Sequence, residues 1–280
     1  MKHTINKIQL SQFQSRLLED ERSAATVEKY LRDLRTFYAY IGEGGEVTKG
    51  AVIAYKQYLT GRYAPASVNS MLAPLNRFFR EMGWYECTVK ALKIQRQAFR
   101  SKERELTKEE YYRLVRTARE RGDERLCLLM QAICATGIRV SELQFLTVEA
   151  LNSGWATVSL KGKTRKVLLP AALCRKLRRY AKAQGIPSGS IFITRSGRPM
   201  DRSNIFHAMK ALCQEAGVAA GKVFPHNLRH LFARMFYALD KDISKLADIL
   251  GHSNINTTRI YIITSGQEHR RRLDALGLVI

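Results

Sequence analysis

Between Lys93 and Glu105 the chain loses its apolar periodicity and becomes strongly charged, with Lys93, Arg96, Arg100, Lys102 and Arg104 in close succession. A stretch like this has nothing to bury and reads as an exposed linker. It divides 280 residues into two segments, each long enough to bury a core of its own. The expected organisation is a helical domain over 1–92, a basic linker over 93–105 and a second domain over 106–280.

Before the linker the pattern is helical, with almost no strand signal. Val27, Tyr30, Leu31, Leu34, Phe37, Tyr38 and Ile41 recur at helical spacing after a start signal at Ser23, and Gly42 to Gly45 end the run. Thr48 can cap a second helix carrying Val52, Tyr55 and Leu59. A third is expected over about 66–82, with Val68, Leu72, Leu75, Phe78 and Phe79 apolar and Pro74 placed to kink it.

After the linker, Thr107 and Glu110 have the spacing of a capping box, and Leu106 and Tyr111 that of a hydrophobic staple. An apolar helix around 126–135 is broken by Gly137, and a new helix opens near Arg139. β-Branched and apolar residues over 155–160 and 165–169 flank Gly162-Lys163-Thr164, which predicts a hairpin, and a short strand fits 191–193. Helices are expected over roughly 171–184, 203–215, 226–239, 243–250 and 257–263. The fold class is mainly α with a small antiparallel β-sheet.

A hydrophobic content of 45% excludes wholesale disorder. The formal charge of +22, from 47 Lys and Arg against 25 Asp and Glu, points to a polyanion such as DNA or RNA. Further basic clusters stand at Lys161, Lys163, Arg165 and Lys166, and at Arg175, Lys176, Arg178, Arg179 and Lys182. Five cysteines without a CxxC pair argue against structural zinc or a disulfide scaffold, and Cys127 and Cys134 sit among apolar neighbours as small core residues. The N-terminus has no apolar signal core and no stretch reaches the roughly 20 apolar residues of a membrane span, so a reduced, cytoplasmic protein without cofactor or metal is expected.

Five residues then suggest a chemistry. Arg139 lies in Ala135-Thr136-Gly137-Ile138-Arg139-Val140-Ser141-Glu142-Leu143. His226 and Arg229 lie in Pro225-His226-Asn227-Leu228-Arg229-His230, three apart and so on one helical face. His252 follows Leu250-Gly251, and Tyr261 ends Asn256-Thr257-Thr258-Arg259-Ile260-Tyr261, nine residues on. Attack on a phosphodiester needs cations for its oxygens, and guanidinium groups suit this because they stay protonated and bind two oxygens at once. Preorganised donors of this kind are worth about 3–4 kcal/mol each. Arg139 and Arg229 take that role, and Tyr261 that of the nucleophile, since a tyrosyl phosphate conserves the bond energy for a later attack by a DNA hydroxyl. Glu142, three residues beyond Arg139, is read as a buttress, and His230 as a structural residue directed elsewhere on its helix.

The order, spacing and wording of these motifs resemble the tyrosine recombinases, also called the phage integrase family. The resemblance implies a helical core-binding domain of the SAM-like integrase type before the linker, a catalytic domain after it, and a C-shaped clamp on duplex DNA. It further implies that a hairpin lysine is the general acid, that His226 helps deprotonate the tyrosine and that His252 holds a phosphate oxygen. The acid lysine of the family sits just before the hairpin turn, which favours Lys161 with Lys163 close behind. Lys93, Arg96, Arg100, Lys102, Lys163 and Arg165 are candidate DNA contacts. The partners implied are double-stranded recombination sites and further copies of the chain, four on two sites, joined through the tail after Tyr261.

With only about twenty residues before the Ser23 helix, the chain looks closer to Xer-like recombinases or a compact mobile-element integrase than to integrases with an added N-terminal module. Two alternatives stay open: a type IB topoisomerase, which shares the chemistry without exchanging partners, and a non-catalytic DNA-binding regulator.

Overall fold

The computed structural model describes residues 2–94, 104–160, 162–262 and 274–275. Contacts divide the chain into two compact units, Met1–Arg96 and Gln97–Ile280. Among the described residues no helix is long and apolar enough to cross a membrane.

The first unit is built on four helices: α1 (Lys7–Glu19), α2 (Ala24–Ile41), α3 (Lys49–Thr60) and α4 (Pro65–Glu81). Helix α1 starts at a reciprocal capping box, in which Gln9 N donates to Asn6 Oδ1 at 2.9 Å and Asn6 N donates to Gln9 Oε1 at 3.0 Å. Thr48 caps α3 through Ala51 N. The apolar stripes of all four close on one aromatic core, where Phe13 and Phe78 meet edge to face at 5.4 Å and Phe37 packs against Tyr55 and Phe79. Each such ring removes about 150–250 Å² from water. Two-residue strands β1 (His3–Thr4) and β2 (Glu46–Val47) also pair here, His3 opposite Val47. The sequence shows almost no strand signal in this segment because two residues are too few for a period-two pattern.

The second unit opens with α5 (Lys108–Glu120), whose capping box is formed as the sequence predicts: Thr107 N donates to Glu110 Oε2 at 2.8 Å and Glu110 N to Thr107 Oγ1 at 3.1 Å. Then follow α6 (Glu124–Thr136), a 3-10 helix (Val140–Phe145), α7 (Val148–Ser153), strands β3 (Trp155–Leu160) and β4 (Lys163–Leu168), α8 (Ala171–Ala183), α9 (Arg202–Ala211), α10 (Pro225–Asp240), α11 (Ile243–Leu250) and α12 (Ile255–Ile262). The expected mainly helical fold is therefore present, with two small antiparallel sheets among the described residues rather than one.

Three local expectations are corrected. Strand β4 begins at Lys163, two residues before the expected start, because Leu160 pairs with Lys163 across a tight connection in which Gly162 takes φ +72°. The strand expected over 191–193 is reduced to isolated bridges, Thr147 to Ser190 and Ile193 to Pro199; the segment is apolar because it is buried, not because it joins a ladder. Helix α9 ends at Ala211, short of 215. Expectations that fall on Arg96, Arg100, Lys102, Lys161 and most of the chain after Ile262 lie outside the described residues.

Candidate active site

The site forms where four chain segments end against one another. Helix α6 stops at Gly137, which adopts the left-handed conformation at φ +64°. A Cβ there would lie 2.5 Å from a Phe232 ring carbon and 2.9 Å from Leu250, so the missing side chain is what lets α10 and α11 come close. The turn delivers Arg139, extended at φ −75° and ψ 149°, to the start of the 3-10 helix. This is a tighter helix than the α-helix the spacing suggests. Glu142, only 2% exposed, grips Arg139 twice: its Oε1 pairs with Arg139 Nη1 at 2.8 Å and its Oε2 accepts from the Arg139 amide at 2.9 Å. The buttress read from the sequence is thus formed.

Arg229 projects from α10 and is 1% exposed. It donates to Gly137 O, to Leu250 O at 2.8 Å, and from Nη2 to His252 Nε2 at 2.9 Å. The first two acceptors are carbonyls at the ends of α6 and α11, which have no partner within their own helices and carry the negative end of each helix dipole. Burial pushes the Arg229 guanidinium down to about 10, the Arg139 charge acts in the same direction, and Tyr261 and Glu142 oppose it. It remains a cation at neutral pH.

His252 follows Gly251, the left-handed C-cap of α11, and its amide donates back to Ala247 O at 2.9 Å. Its Nδ1 faces Thr258 Oγ1 at 2.8 Å. With Nε2 accepting from Arg229, the ring proton is assigned to Nδ1. Burial and then the charges of Arg229, Arg139 and Arg165 push this imidazole down to about 4, so it is neutral at neutral pH. What it offers there is a directed hydrogen bond rather than a charge.

Tyr261 comes from α12 and is 5% exposed, its hydroxyl 3.4 Å from His226 Nε2. The ring stacks on His252 at 5.4 Å and packs on His230 at 4.2 Å, while His226 and His230 meet edge to face at 4.8 Å. His230 therefore does not point elsewhere. It lies four residues from His226, one turn along the same face, and it seats the tyrosine ring. The spacing to His226 carried that signal; the adjacency to Arg229 obscured it.

Arg139, His226, Arg229, His252 and Tyr261 are thus brought together in one subunit. Lys93 is exposed. Arg165, expected among the DNA contacts, is instead turned inward: in the register of the hairpin it stands opposite Val158 on the same side as buried Val167, while Thr164, Lys166 and Leu168 are exposed. Strand alternation, counted from Val167, would have placed it there.

The Phage integrase family model matches residues 104–268. This chain belongs to that family. It is a tyrosine-type site-specific recombinase, an enzyme that cleaves and rejoins DNA strands. It is 27% identical to the tyrosine recombinase XerA of Thermococcus kodakarensis over 281 residues, covering 96% of this chain and 95% of that protein. It is 30% identical to the tyrosine recombinase XerD of Xanthomonas campestris over 293 residues, covering 95% and 90%. The fold is also similar to that of lambda integrase as solved in a tetramer bound to a Holliday junction, at a TM-score of 0.74, 18% identity, and coverage of 90% of this chain and 76% of that one.

The recombinase site also sets a pH dependence. His252 is depressed below its ordinary 6.5 to about 4. For Glu142, burial works upward, and the Arg139 amide and guanidinium with Arg165 outweigh it and hold the carboxylate below its usual range. Unfolding lets both groups take up protons that the folded state refuses, so both contributions are present near neutral pH and are lost on acidification. Thermal unfolding of the recombinase is expected to fall to lower temperature as pH drops from about 6.5 towards about 4. In His252→Gln this fall should be shallower; an unchanged slope would contradict the assignment.

Proposed function

We propose that this recombinase cuts one strand of a duplex recombination site through Tyr261 and joins it to a strand of a second site. The phenol oxygen of Tyr261 attacks the phosphorus, the bond to the 5′ oxygen breaks, and a 3′-phosphotyrosyl link forms. His226 Nε2 receives the phenolic proton. Arg139 and Arg229 neutralise the non-bridging oxygens, and His252 donates to one of them once the phosphate has displaced the Arg229–His252 contact and the ring proton stands on Nε2. A hairpin lysine, Lys161 or Lys163, protonates the departing 5′ oxygen. The 5′-hydroxyl of the partner strand then attacks the phosphotyrosine and releases the enzyme, so no external energy source is consumed.

The observation that carries this reading is the 3.4 Å approach of the Tyr261 hydroxyl to His226 in the same cluster as the Arg229–His252 pair. An attacking group and a proton acceptor need such reach, and apo distances of this kind tighten when substrate binds. We further infer that four copies act on two DNA sites, with the chain after Tyr261 reaching a neighbouring copy. The relation to a family member that forms a tetramer on a Holliday junction supports that reading. The net charge of +22 supports broad phosphate contact and a steep loss of affinity with salt.

The test is incubation with two distinguishable duplexes carrying one candidate site, followed by denaturing gels. A covalent protein–DNA band together with exchanged strands supports the recombinase. Relaxation of a plasmid by a monomer, without exchange, would favour topoisomerase chemistry, and binding with no covalent band would favour a regulator. The acid is assigned by a substrate whose 5′ bridging oxygen is replaced by sulfur, a leaving group that needs no proton. Cleavage lost in Lys161→Ala should return on this substrate; recovery in Lys163→Ala alone would move the acid to Lys163.

A further inference from the structure

Three successive carbonyls at the end of α11 are each taken by a different arginine. Leu250 O accepts from Arg229 at 2.8 Å and Gly251 O from Arg139 Nη2 at 3.3 Å. The third, Ile249 O, accepts from Arg165 Nη1 at 3.0 Å. The other arm of Arg165 pairs with Glu142 Oε2 at 2.7 Å, the same oxygen that receives the Arg139 amide.

We propose that Arg165 is a positioning residue for strand cleavage: from β4 it sets Glu142, and through it Arg139, against the end of α11 from which His252 projects. The inference rests on the reading of Arg139 and His252 as phosphate ligands. Three independent features make Arg165 more than a filler. It bonds both sides of the site at once, one arm to the 3-10 helix and the other to α11. The chain is shaped around it, since a Cβ on Gly251 would lie 2.3 Å from Arg165 Cδ; the residue before His252 is a glycine where the arginine stem passes. Its charge is also matched to the site. Glu142 is the carboxylate paired with both Arg139 and Arg165, so with Arg229 the described cluster of three guanidinium groups keeps an excess of positive charge for a phosphate. The planar fork is needed for this task because one group has to donate in two directions.

Strand β4 belongs to the hairpin whose connection holds the candidate acid. Arg165 therefore ties the part of the chain that would protonate the leaving oxygen to the part that holds the non-bridging oxygens. Errors of about 1 Å in such a constellation cost about 100-fold in rate.

The experiment compares full-length wild type, Tyr261→Phe, Arg165→Met and Arg165→Lys on a nicked duplex, under single-turnover conditions with saturating protein, and measures DNA affinity at several salt concentrations. Arg165→Met is expected to slow formation of the covalent adduct about 100-fold while the Kd and its salt slope stay near wild type. Arg165→Lys, which keeps the charge and can make one of the two bonds, should recover part of the rate. Adding Glu142→Gln to Arg165→Met should cost less than the sum of the single effects, because both act on Arg139 through one contact. Wild-type cleavage by Arg165→Met, with weaker binding and a salt slope reduced by about one, would overturn the proposal and restore Arg165 as a phosphate contact. If Arg165→Met fails to bind DNA, the lysine variant decides: full wild-type cleavage sinks the proposal and partial cleavage with normal binding upholds it. A wild-type protein that forms no Tyr261-dependent adduct would instead sink the cleavage reading, and this inference with it.

Discussion

Tyr261→Phe is expected to abolish the covalent protein–DNA adduct while leaving the fold and DNA affinity close to wild type. The two effects separate because the ring and the hydroxyl do different work. The ring is held by His230 and His252, and phenylalanine keeps that packing. The hydroxyl's hydrogen bond to His226 is a long one, 3.4 Å, so its loss should cost about 1 kcal/mol of stability. Chemically the same atom is indispensable, since nothing else in the cluster can form a reversible phosphate ester in its place. Loss of a nucleophile of this type lowers rates by roughly 10⁴-fold or more. Adduct assays beside DNA-binding and thermal-unfolding measurements on one preparation check all three statements. An adduct that persists in the phenylalanine variant would remove Tyr261 from the mechanism.

Arg229→Met is expected to lose about 10²–10³-fold in cleavage, with a stability change much smaller than its burial suggests. Removing the guanidinium leaves Gly137 O and Leu250 O without a donor, at about 1–3 kcal/mol each, and also takes the donor from the half-buried His252 Nε2. Against this stands the cost of keeping a cation almost wholly out of water. The fall of its pKa from 12.5 to about 10 marks a penalty of a few kcal/mol on the charged form. The two nearly offset, as they do when apolar side chains replace buried ions elsewhere. Methionine is chosen over alanine because it fills most of the same volume and avoids a cavity. Chemical denaturation and single-turnover cleavage, measured together, test this balance. Cleavage near the wild-type rate would show that Arg229 is only a strut between α6 and α11. A small stability change with a large catalytic loss is what a buried charge retained for chemistry predicts.

Much of the candidate site can be read from residue order because its chemistry is demanding and its spacings are local. His226 and Arg229 share a helical face at an interval of three, and Gly137 and Gly251 announce the turns that precede Arg139 and His252. The capping box at Thr107 and the cap at Thr48 are likewise local, since they depend on backbone amides within one turn of helix. The side chains that the structure turns another way are those for which a neighbour along the chain misled. Arg165 sits in a basic run and looks like a surface cation, yet strand parity turns it toward Glu142. His230 follows Arg229 and looks misdirected, yet it meets Tyr261, thirty-one residues away in the chain, ring to ring.

Local order along this polypeptide settles the helical character, the starts and stops of its longer helices, and which residues are candidates to attack or hold a phosphate. Those properties come from spacing within a few turns and from functional-group chemistry. Folding alone decides which carbonyls the arginines bind, that His252 is neutral, and that three successive carbonyls of α11 meet three arginines from β4, α10 and the turn after α6. Hydrogen-bond geometry and desolvation depend on groups brought together from distant segments, and no spacing rule along one segment contains that information.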